Sequence, residues 1–301
     1  MQGLNFILTL PMTTKNNTPV IAILNMKGGV GKTTIAAHLL RHLCERLSKS
    51  VLLIDFDPQF NLSQTILTKG RYAKLKSENK TIMSVMEPPS ATSIFNVTTN
   101  LGPPPAIEDI ATNLLVYKLT NKPALSLIAG DFGLTKYSLI EDQSSLIPVR
   151  KRFLNFVENA RDKYDLVCID CNPSSSFMTL CALMASTHII IPVRPDRYSI
   201  LGLELLDQFI DGLTILMQKP KRIVLINGVP TTGYDQTVEN SLRSNPRFGP
   251  LTLANTLKMS TLLAAKDGYT GFATDKKVAH RETLKYRLSK IVDELKGPLG
   301  W

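Results

Sequence analysis

The chain has 301 residues, 44% of them hydrophobic, which is enough to bury one substantial core in one or two domains. A formal net charge of +10 and a pI of about 9.4 favour an acidic partner such as nucleic acid or an anionic membrane surface. Four cysteines in a chain of this size do not make a disulfide framework and suit a reducing cytosol, and no apolar run approaches the ~20 residues that span a bilayer.

Residues 1–18 read as a flexible N-terminal segment. Their apolar patch lacks the basic n-region of a signal peptide, and Met12 is a candidate natural start. Residues 19–301 read as one domain. An apolar run predicts a strand over 20–25, and a helical pattern covers 33–48. Between them stands Asn25-Met26-Lys27-Gly28-Gly29-Val30-Gly31-Lys32-Thr33-Thr34. A strand, a glycine-rich turn and a helix N-terminus make a phosphate cradle, because unpaired backbone N–H groups and the helix dipole converge on an anion. Gly28, Gly29, Val30 and Gly31 bring the backbone close to the phosphates. Lys32 neutralises the β/γ-phosphates, the Thr33 hydroxyl is placed for Mg²⁺, and Thr34 completes the turn.

The ordinary P-loop has a glycine where this chain has Met26, and here a second lysine, Lys27, opens the loop. The string Lys-Gly-Gly-Val-Gly-Lys-Thr-Thr resembles the deviant Walker A motif of the ParA/MinD family of dimeric ATPases. The resemblance implies that Lys27 reaches across a homodimer to the partner's nucleotide while Lys32 serves its own. His38 and His42 follow on the predicted helix, but Leu39 breaks the zinc-protease pattern, so both read as ordinary helix residues.

A second strand, 50–57, ends Asp55-Phe56-Asp57-Pro58-Gln59-Phe60-Asn61. Period-two geometry sends Asp55 and Asp57 to the same side of the strand end. Beside a Mg²⁺–phosphate, Asp55 would bind a water of the metal shell and Asp57 would orient the attacking water. This run resembles the family's Asp-x-Asp-Pro-Gln-Gly-Asn, with Phe60 in place of the glycine. The stretch from about 70 to 122 breaks the rhythm with Pro88-Pro89, Pro103-Pro104-Pro105 and many Ser, Thr and Asn residues. It reads as an irregular excursion carrying short helices near 82–86 and 106–110.

Further strands are expected at 124–129, 166–171, 188–193 and 222–227, and helices at 149–163, 177–185, 201–217 and 281–296. Alternation of the two predicts an α/β fold with a doubly wound, mostly parallel sheet, helices on both faces and ligands at the strand C-terminal ends. Asp170 ends the 166–171 strand and matches a Walker B acid bound to the Mg²⁺ shell, although Asn172 departs from the family's Asp-x-Pro-Pro. Cys168 and Cys171 are three apart on that strand, so they point to opposite faces and do not form a metal or redox pair. Residues 191–203 resemble the family's segment at the dimer and nucleotide edge. Asn227, at the next strand end, is the position where related proteins set an amide against adenine, and an amide can pair with both a donor and an acceptor on that ring.

Three motifs in this order imply binding and hydrolysis of ATP with Mg²⁺, slow on its own and accelerated by a partner. The first reading is a ParA-like ATPase whose ATP-bound homodimer binds DNA without sequence preference and drives plasmid or chromosome partition. It would be cytoplasmic, nucleoid-associated in the ATP state, and stimulated by a ParB-like centromere-binding protein. Residues 241–301 hold eleven basic against five acidic side chains. From them Arg243, Arg247, Lys258, Lys266, Lys276, Lys277 and Arg281 are candidate phosphate contacts. The alternative is a MinD-like membrane or cargo-positioning switch. Its anchor would be the stripe Leu284, Leu288, Ile291, Val292 and Leu295 of the last helix, which Gly297-Pro298 is expected to stop; such a stripe also suits a core-facing helix, and no stable membrane insertion is expected. A nitrogenase-iron-protein-like reductase would need cluster cysteines, for which only Cys171 and Cys181 lie late enough, without the glycine-flanked context.

Overall fold

A computed structural model describes residues 17–89, 97–98, 101–114, 123–172, 174, 176–264 and 270–301. In chain order its elements are β1 (Val20–Ile23), α1 (Lys32–Thr34), a π-helical stretch (Ile35–Leu39), α2 (Leu40–Leu47), β2 (Val51–Phe56) and α3 (Asn61–Ile66). Then come α4 (Lys69–Ser77), α5 (Ile82–Met86), α6 (Ile107–Ile110), β3 (Thr112–Asn113), β4 (Leu125–Ile128), a 3₁₀ stretch (Phe132–Ser138) and α7 (Ile147–Arg161). They are followed by β5 (Leu166–Cys171), α8 (Phe177–Ala185), β6 (His188–Val193), α9 (Ser199–Gly212), β7 (Lys221–Val229), α10 (Thr237–Ser244), β8 (Leu257–Lys258) and α11 (Arg281–Leu299).

The strands form one sheet in the order β3-β4-β2-β5-β1-β6-β7-β8. Every pairing is parallel except that of β3 with β4, so the doubly wound α/β architecture expected from the sequence is the one observed. Strands buried on both faces need apolar side chains at successive positions, and β1 shows why. Val20 and Ala22 join the cluster that holds Phe153 and Phe156 of α7, while Ile21 and Ile23 join the cluster that holds Leu43 of α2 and Leu288 of α11. The same alternation puts Cys168 in one cluster and Cys171 in the other, as their spacing requires.

Several boundaries differ from expectation for local reasons. The first long helix is not uniform: it passes through a π turn at Ile35–Leu39, a distortion common near functional sites. Helix α9 ends at Gly212 instead of continuing to 217. Helix α11 runs through Gly297-Pro298 to Leu299 and stops at left-handed Gly300. Proline removes one donor, but Leu299 is buried, the Pro298 carbonyl accepts from His188 Nε2 at 2.9 Å, and the Trp301 N–H returns to the Lys296 carbonyl at 2.9 Å. The two-residue strands β3 and β8 are too short to give a period, and α4 is polar almost all round, with only Leu75 buried.

The C-terminal stretch is bound to the helix that leaves the glycine-rich loop. The Ala273 N–H donates to His38 Nδ1 at 3.2 Å, Arg41 pairs with Asp275 at 3.3 Å, and His42 Nε2 is hydrogen-bonded to Ser289 Oγ at 2.8 Å. Burial, with Lys276 adding its charge, holds the His38 ring down at about 4 against an ordinary 6.5. Only the neutral ring can accept the Ala273 proton. The unfolded chain therefore binds an extra proton between these values, and the contribution of His38 is complete above pH 6.5 and lost as the pH falls toward 4. The gap corresponds to about 3 kcal/mol. Urea unfolding at pH 7 and pH 4 should show His38→Asn, whose carbonyl can replace Nδ1, losing less stability on acidification than the unaltered chain. An equal loss in both would mean that the ring titrates in the fold as it does outside it.

Candidate functional site

Strand β1 leads through buried Leu24 into Asn25, and that side chain sets the start of the loop. Its Nδ2 donates to the Pro192 carbonyl at the end of β6 (2.8 Å), and its Oδ1 accepts from the Lys27 N–H (2.9 Å). Gly29 and Gly31 then take φ of +71° and +91°, which favours glycine. Gly31 has a second constraint. A Cβ there would lie 2.3 Å from Asn227 Nδ2, because the Asn227 amide donates to the Val30 carbonyl at 2.7 Å. The Asn227 side chain is thus spent, at least in part, on bracing the loop, a task that the sequence reading did not assign to it. A Cβ on Gly28 would meet nothing within 4 Å, so the loop is open there.

Lys32 is buried, and its ammonium donates to the backbone carbonyls of Asn25 (3.0 Å) and Lys27 (3.2 Å). Burial lowers its pKa, while the charges of Asp170 and Asp57 work against that. Asp55 and Asp170 are register neighbours on β2 and β5, both fully or almost fully buried. Asp55 Oδ2 accepts from the Ser63 N–H (2.8 Å) and the Ser63 hydroxyl (2.6 Å). Asp55 Oδ1 and both oxygens of Asp170 make no hydrogen bond of ordinary geometry, although the Thr33 hydroxyl lies near enough to Asp170 to favour its charged form. Burial pushes Asp55 up to about 7 and Asp170 well above the carboxylate range; the Thr33 hydroxyl and the Lys32 ammonium pull Asp170 the other way. Asp57 has one oxygen accepting from the Gln59 N–H at 2.9 Å.

Phe60 keeps the turn that the family makes with glycine. It sits at φ 40°, ψ 40°, and stacks on Tyr72 with ring centroids 5.0 Å apart and planes within 3°. A left-handed non-glycine residue costs ~1–3 kcal/mol, and an aromatic pair returns ~0.5–1.5 kcal/mol of it.

Three unpartnered buried carboxylate oxygens beside a lysine and a threonine hydroxyl suit a hydrated divalent cation and a polyphosphate. Among the described residues no group of three or more His, Cys, Asp or Glu side chains is arranged to hold a metal ion. Magnesium takes few protein ligands and keeps its waters and phosphate oxygens, so two carboxyl groups and one hydroxyl are a sufficient donor set.

Lys27 differs from Lys32 in that it lies at the mouth of the loop, about two-fifths exposed, where its ammonium pairs with Asp196 Oδ2 at 2.5 Å and lies 6.0 Å from the Tyr198 ring centroid. Asp196 falls within the 191–203 segment singled out in the sequence, whereas Ser63 and Gly130 belong to the site by contact without any mark in the sequence. They are ordinary residue types, brought in from helix α3 and from the turn after β4.

The basic candidates divide. Arg243 donates to Glu239 (2.8 Å) and to the carbonyls of Leu253 and Ala254 (3.0 Å each), and Arg247 pairs with Asp207 and with Asp211 (2.7 Å). These two tie segments of the fold together in this structure, and Arg247 stays exposed while doing so. Arg281 pairs with its neighbour Glu282, Lys258 and Lys277 are exposed, Lys276 reaches the His38 environment, and Lys266 lies outside the described residues. The apolar stripe of α11 is entirely buried in the core, and no helix among the described residues is long and apolar enough to cross a membrane. Cys171 and Cys181 are buried in the opposite cluster, their thiols pushed up by burial.

Residues 18–222 match the AAA domain family. The chromosome partitioning protein ParA of Caulobacter vibrioides is 31% identical over 75% of this chain and 73% of its own length. The chain belongs to the ParA family of AAA-domain ATPases. At the level of fold it is similar to pNOB8 ParA, solved bound to nonspecific DNA (20% identity, 93% of this chain, 99% of that one, TM-score 0.64). It is likewise similar to cobyrinic acid a,c-diamide synthase of Mycobacterium smegmatis, solved with an ATP analogue and magnesium (18% identity, 93% and 96%, TM-score 0.61). Two further relatives, from Rhizobium rhizogenes and Sinorhizobium fredii, are longer, and the match spans 42% and 41% of their lengths.

The loop geometry makes a direct prediction. Gly31→Ala must either abandon a left-handed φ or displace Asn227, a cost of ~1–3 kcal/mol concentrated on the phosphate cradle. Titration with a fluorescent ATP analogue should show affinity reduced by at least tenfold with the fold intact by circular dichroism. Unchanged affinity would show that the Val30–Asn227 brace is dispensable.

Proposed function

We propose that this chain is a ParA-like partition ATPase: an ATP-switched homodimer that binds DNA without sequence preference and releases it on hydrolysis. The observation that carries the reading is the division between the two loop lysines. Lys32 is buried over its own cradle, while Lys27 stands at the mouth beside Tyr198 and next to a helix that exposes Leu201 and Leu205. An inward cation suits the chain's own phosphates, and an outward one beside an apolar stripe suits those of a second copy.

In this reading Gly28, Gly29, Val30, Gly31, Thr33 and Thr34 wrap the phosphates with backbone and hydroxyl groups, and Lys32 exchanges its two carbonyls for phosphate oxygens. Thr33, Asp55 and Asp170 would hold a magnesium ion, which would supply positive charge against the phosphates. Asp57 orients the attacking water with its second oxygen. Asn227 keeps the loop in place and leaves its carbonyl oxygen for the adenine. A ParB-like centromere-binding protein would speed hydrolysis. Exposed Lys258 and Lys277, with Lys276 and Arg281, belong to the basic C-terminal stretch that would meet DNA, as would Lys266, which lies outside the described residues. No observation favours the membrane reading, since the stripe that would anchor it is already buried.

Fluorescence anisotropy with a random duplex, in ADP, ATP and a slowly hydrolysed analogue over a salt series, tests the DNA step. Binding should need the triphosphate and weaken steeply with salt, each phosphate contact adding about −0.9 to the logarithmic slope. No binding in any nucleotide state would overturn the DNA assignment.

A second prediction concerns Lys27, which must leave Asp196 before it can reach a partner. The pair is solvent-exposed and worth roughly 0–1 kcal/mol. Asp196→Asn, placed in an Asp57→Ala background to slow turnover, removes one such pair from each subunit and should therefore favour the ATP-bound dimer by up to about thirtyfold in sedimentation. A weakened dimer would show that Asp196 serves the closed state instead.

A further inference from the structure

Asp55 is completely buried, and its carboxylate is not free to turn. Oδ2 receives two hydrogen bonds from one residue, the N–H and the hydroxyl of Ser63, at 2.8 and 2.6 Å. A serine hydroxyl has one proton to give, and this one is given to Asp55. Its oxygen in turn accepts from the Gly130 N–H at 2.8 Å, at the end of β4. Ser63 is itself fully buried and sits on α3, six residues past Asp57. Gly130 closes the arrangement from the other side: a Cβ there would fall 2.7 Å from Asp55 Cγ, 2.8 Å from Asp55 Oδ2 and 2.7 Å from Phe60 Cβ. One oxygen of Asp55 is thereby fixed on protein donors and the other, Oδ1, is left with no partner, next in register to the two unpartnered oxygens of Asp170.

We infer that Ser63, braced by Gly130, is the positioning residue that presents Asp55 Oδ1 to the magnesium shell. This inference rests on the reading of Asp55 as a metal-shell carboxylate. Without the Ser63 hydroxyl, Oδ2 keeps a single donor, the Ser63 N–H, and the carboxyl group of Asp55 is free to turn about its side-chain bonds. Outer groups that fix a metal-binding carboxylate typically carry a ten- to hundredfold effect on metal affinity. The device also ties three segments into one unit: the end of β2, the start of α3 and the end of β4. The turn at Phe60 is part of it, since Phe60 Cβ occupies the space that a larger residue 130 would need.

The test is electron paramagnetic resonance of Mn²⁺ as the metal probe, with and without a slowly hydrolysed ATP analogue, on the full chain. Ser63→Ala should weaken nucleotide-dependent Mn²⁺ binding about tenfold or more and leave metal-free analogue binding within about twofold. Ser63→Thr, which retains the hydroxyl, should recover most of the affinity. Gly130→Ala gives a second route to the same loss without altering Ser63, should Ser63→Ala fail to fold. Asp55→Asn separates the two layers. If Asp55→Asn weakens Mn²⁺ binding and neither Ser63→Ala nor Gly130→Ala does, the positioning role is wrong. If Asp55→Asn itself leaves Mn²⁺ binding unchanged, the assignment of Asp55 to the metal shell fails, and the inference with it.

Discussion

Asp55 and Asp170 lie side by side in register at the C-terminal ends of two central strands, and three of their four carboxylate oxygens have no hydrogen-bond partner. Burial raises Asp55 to about 7, so its ionised form opposes folding. Lys32 favours the charge of Asp170 beside it, but its own burial works against its charge. A sheet can hold such an arrangement only if the rest of it is secure. Here both faces are packed, with β1, β2 and β5 buried along their whole lengths. The apolar continuity of these strands is therefore the support for a charged cluster that is unfavourable until cation and phosphate arrive.

The same constraint explains where the polar residues of the loop go. Asn25, Lys32 and Asn227 are buried polar side chains, and each is spent on a backbone carbonyl: Pro192, Asn25 with Lys27, and Val30. None of these contacts adds much net stability, at roughly 1 kcal/mol apiece. Their value is geometric. They hold a turn with two left-handed glycines in a conformation that leaves its open side, at Gly28, toward solvent.

Much of this was legible in the sequence, because continuous apolar runs ending in Asp55, Asp170 and Asn227 force parallel strands whose ends must meet. The spacing of Cys168 and Cys171 likewise told their opposite faces. What was not legible depended on pairings between distant residues. Arg243 and Arg247 read as free cations until α10 and α9 set Glu239, Asp207 and Asp211 against them. That the Asn227 amide also braces Val30 shows only once β7 is placed beside the loop. Ser63 and Gly130 carry no signal in a single chain, since a serine in a short helix and a glycine after a strand are unremarkable alone. Gly297-Pro298 read as a stop because local propensity says so, and burial of Leu299 with the His188–Pro298 bond overrode it.

The helix that starts at Gly31 does more than cap a phosphate cradle. Its π turn spans Ile35–Leu39 and carries His38, and one turn later come Arg41 and His42. All three are buried, and all three bond to the C-terminal stretch, at Ala273, Asp275 and Ser289. A π turn is a place where a helix can change register at low cost, whereas a buried histidine whose Nδ1 must accept a proton tolerates little displacement. A shift of α1 under the phosphates has therefore two outlets. It is absorbed in the π turn, or it is carried to residues 273–289, which include Lys276, Lys277 and Arg281. Helices α2 and α11 pack on one another, with Leu43 and Leu288 in one cluster, so the helix that leaves the loop is tied to the C-terminal stretch by apolar packing as well as by these three bonds.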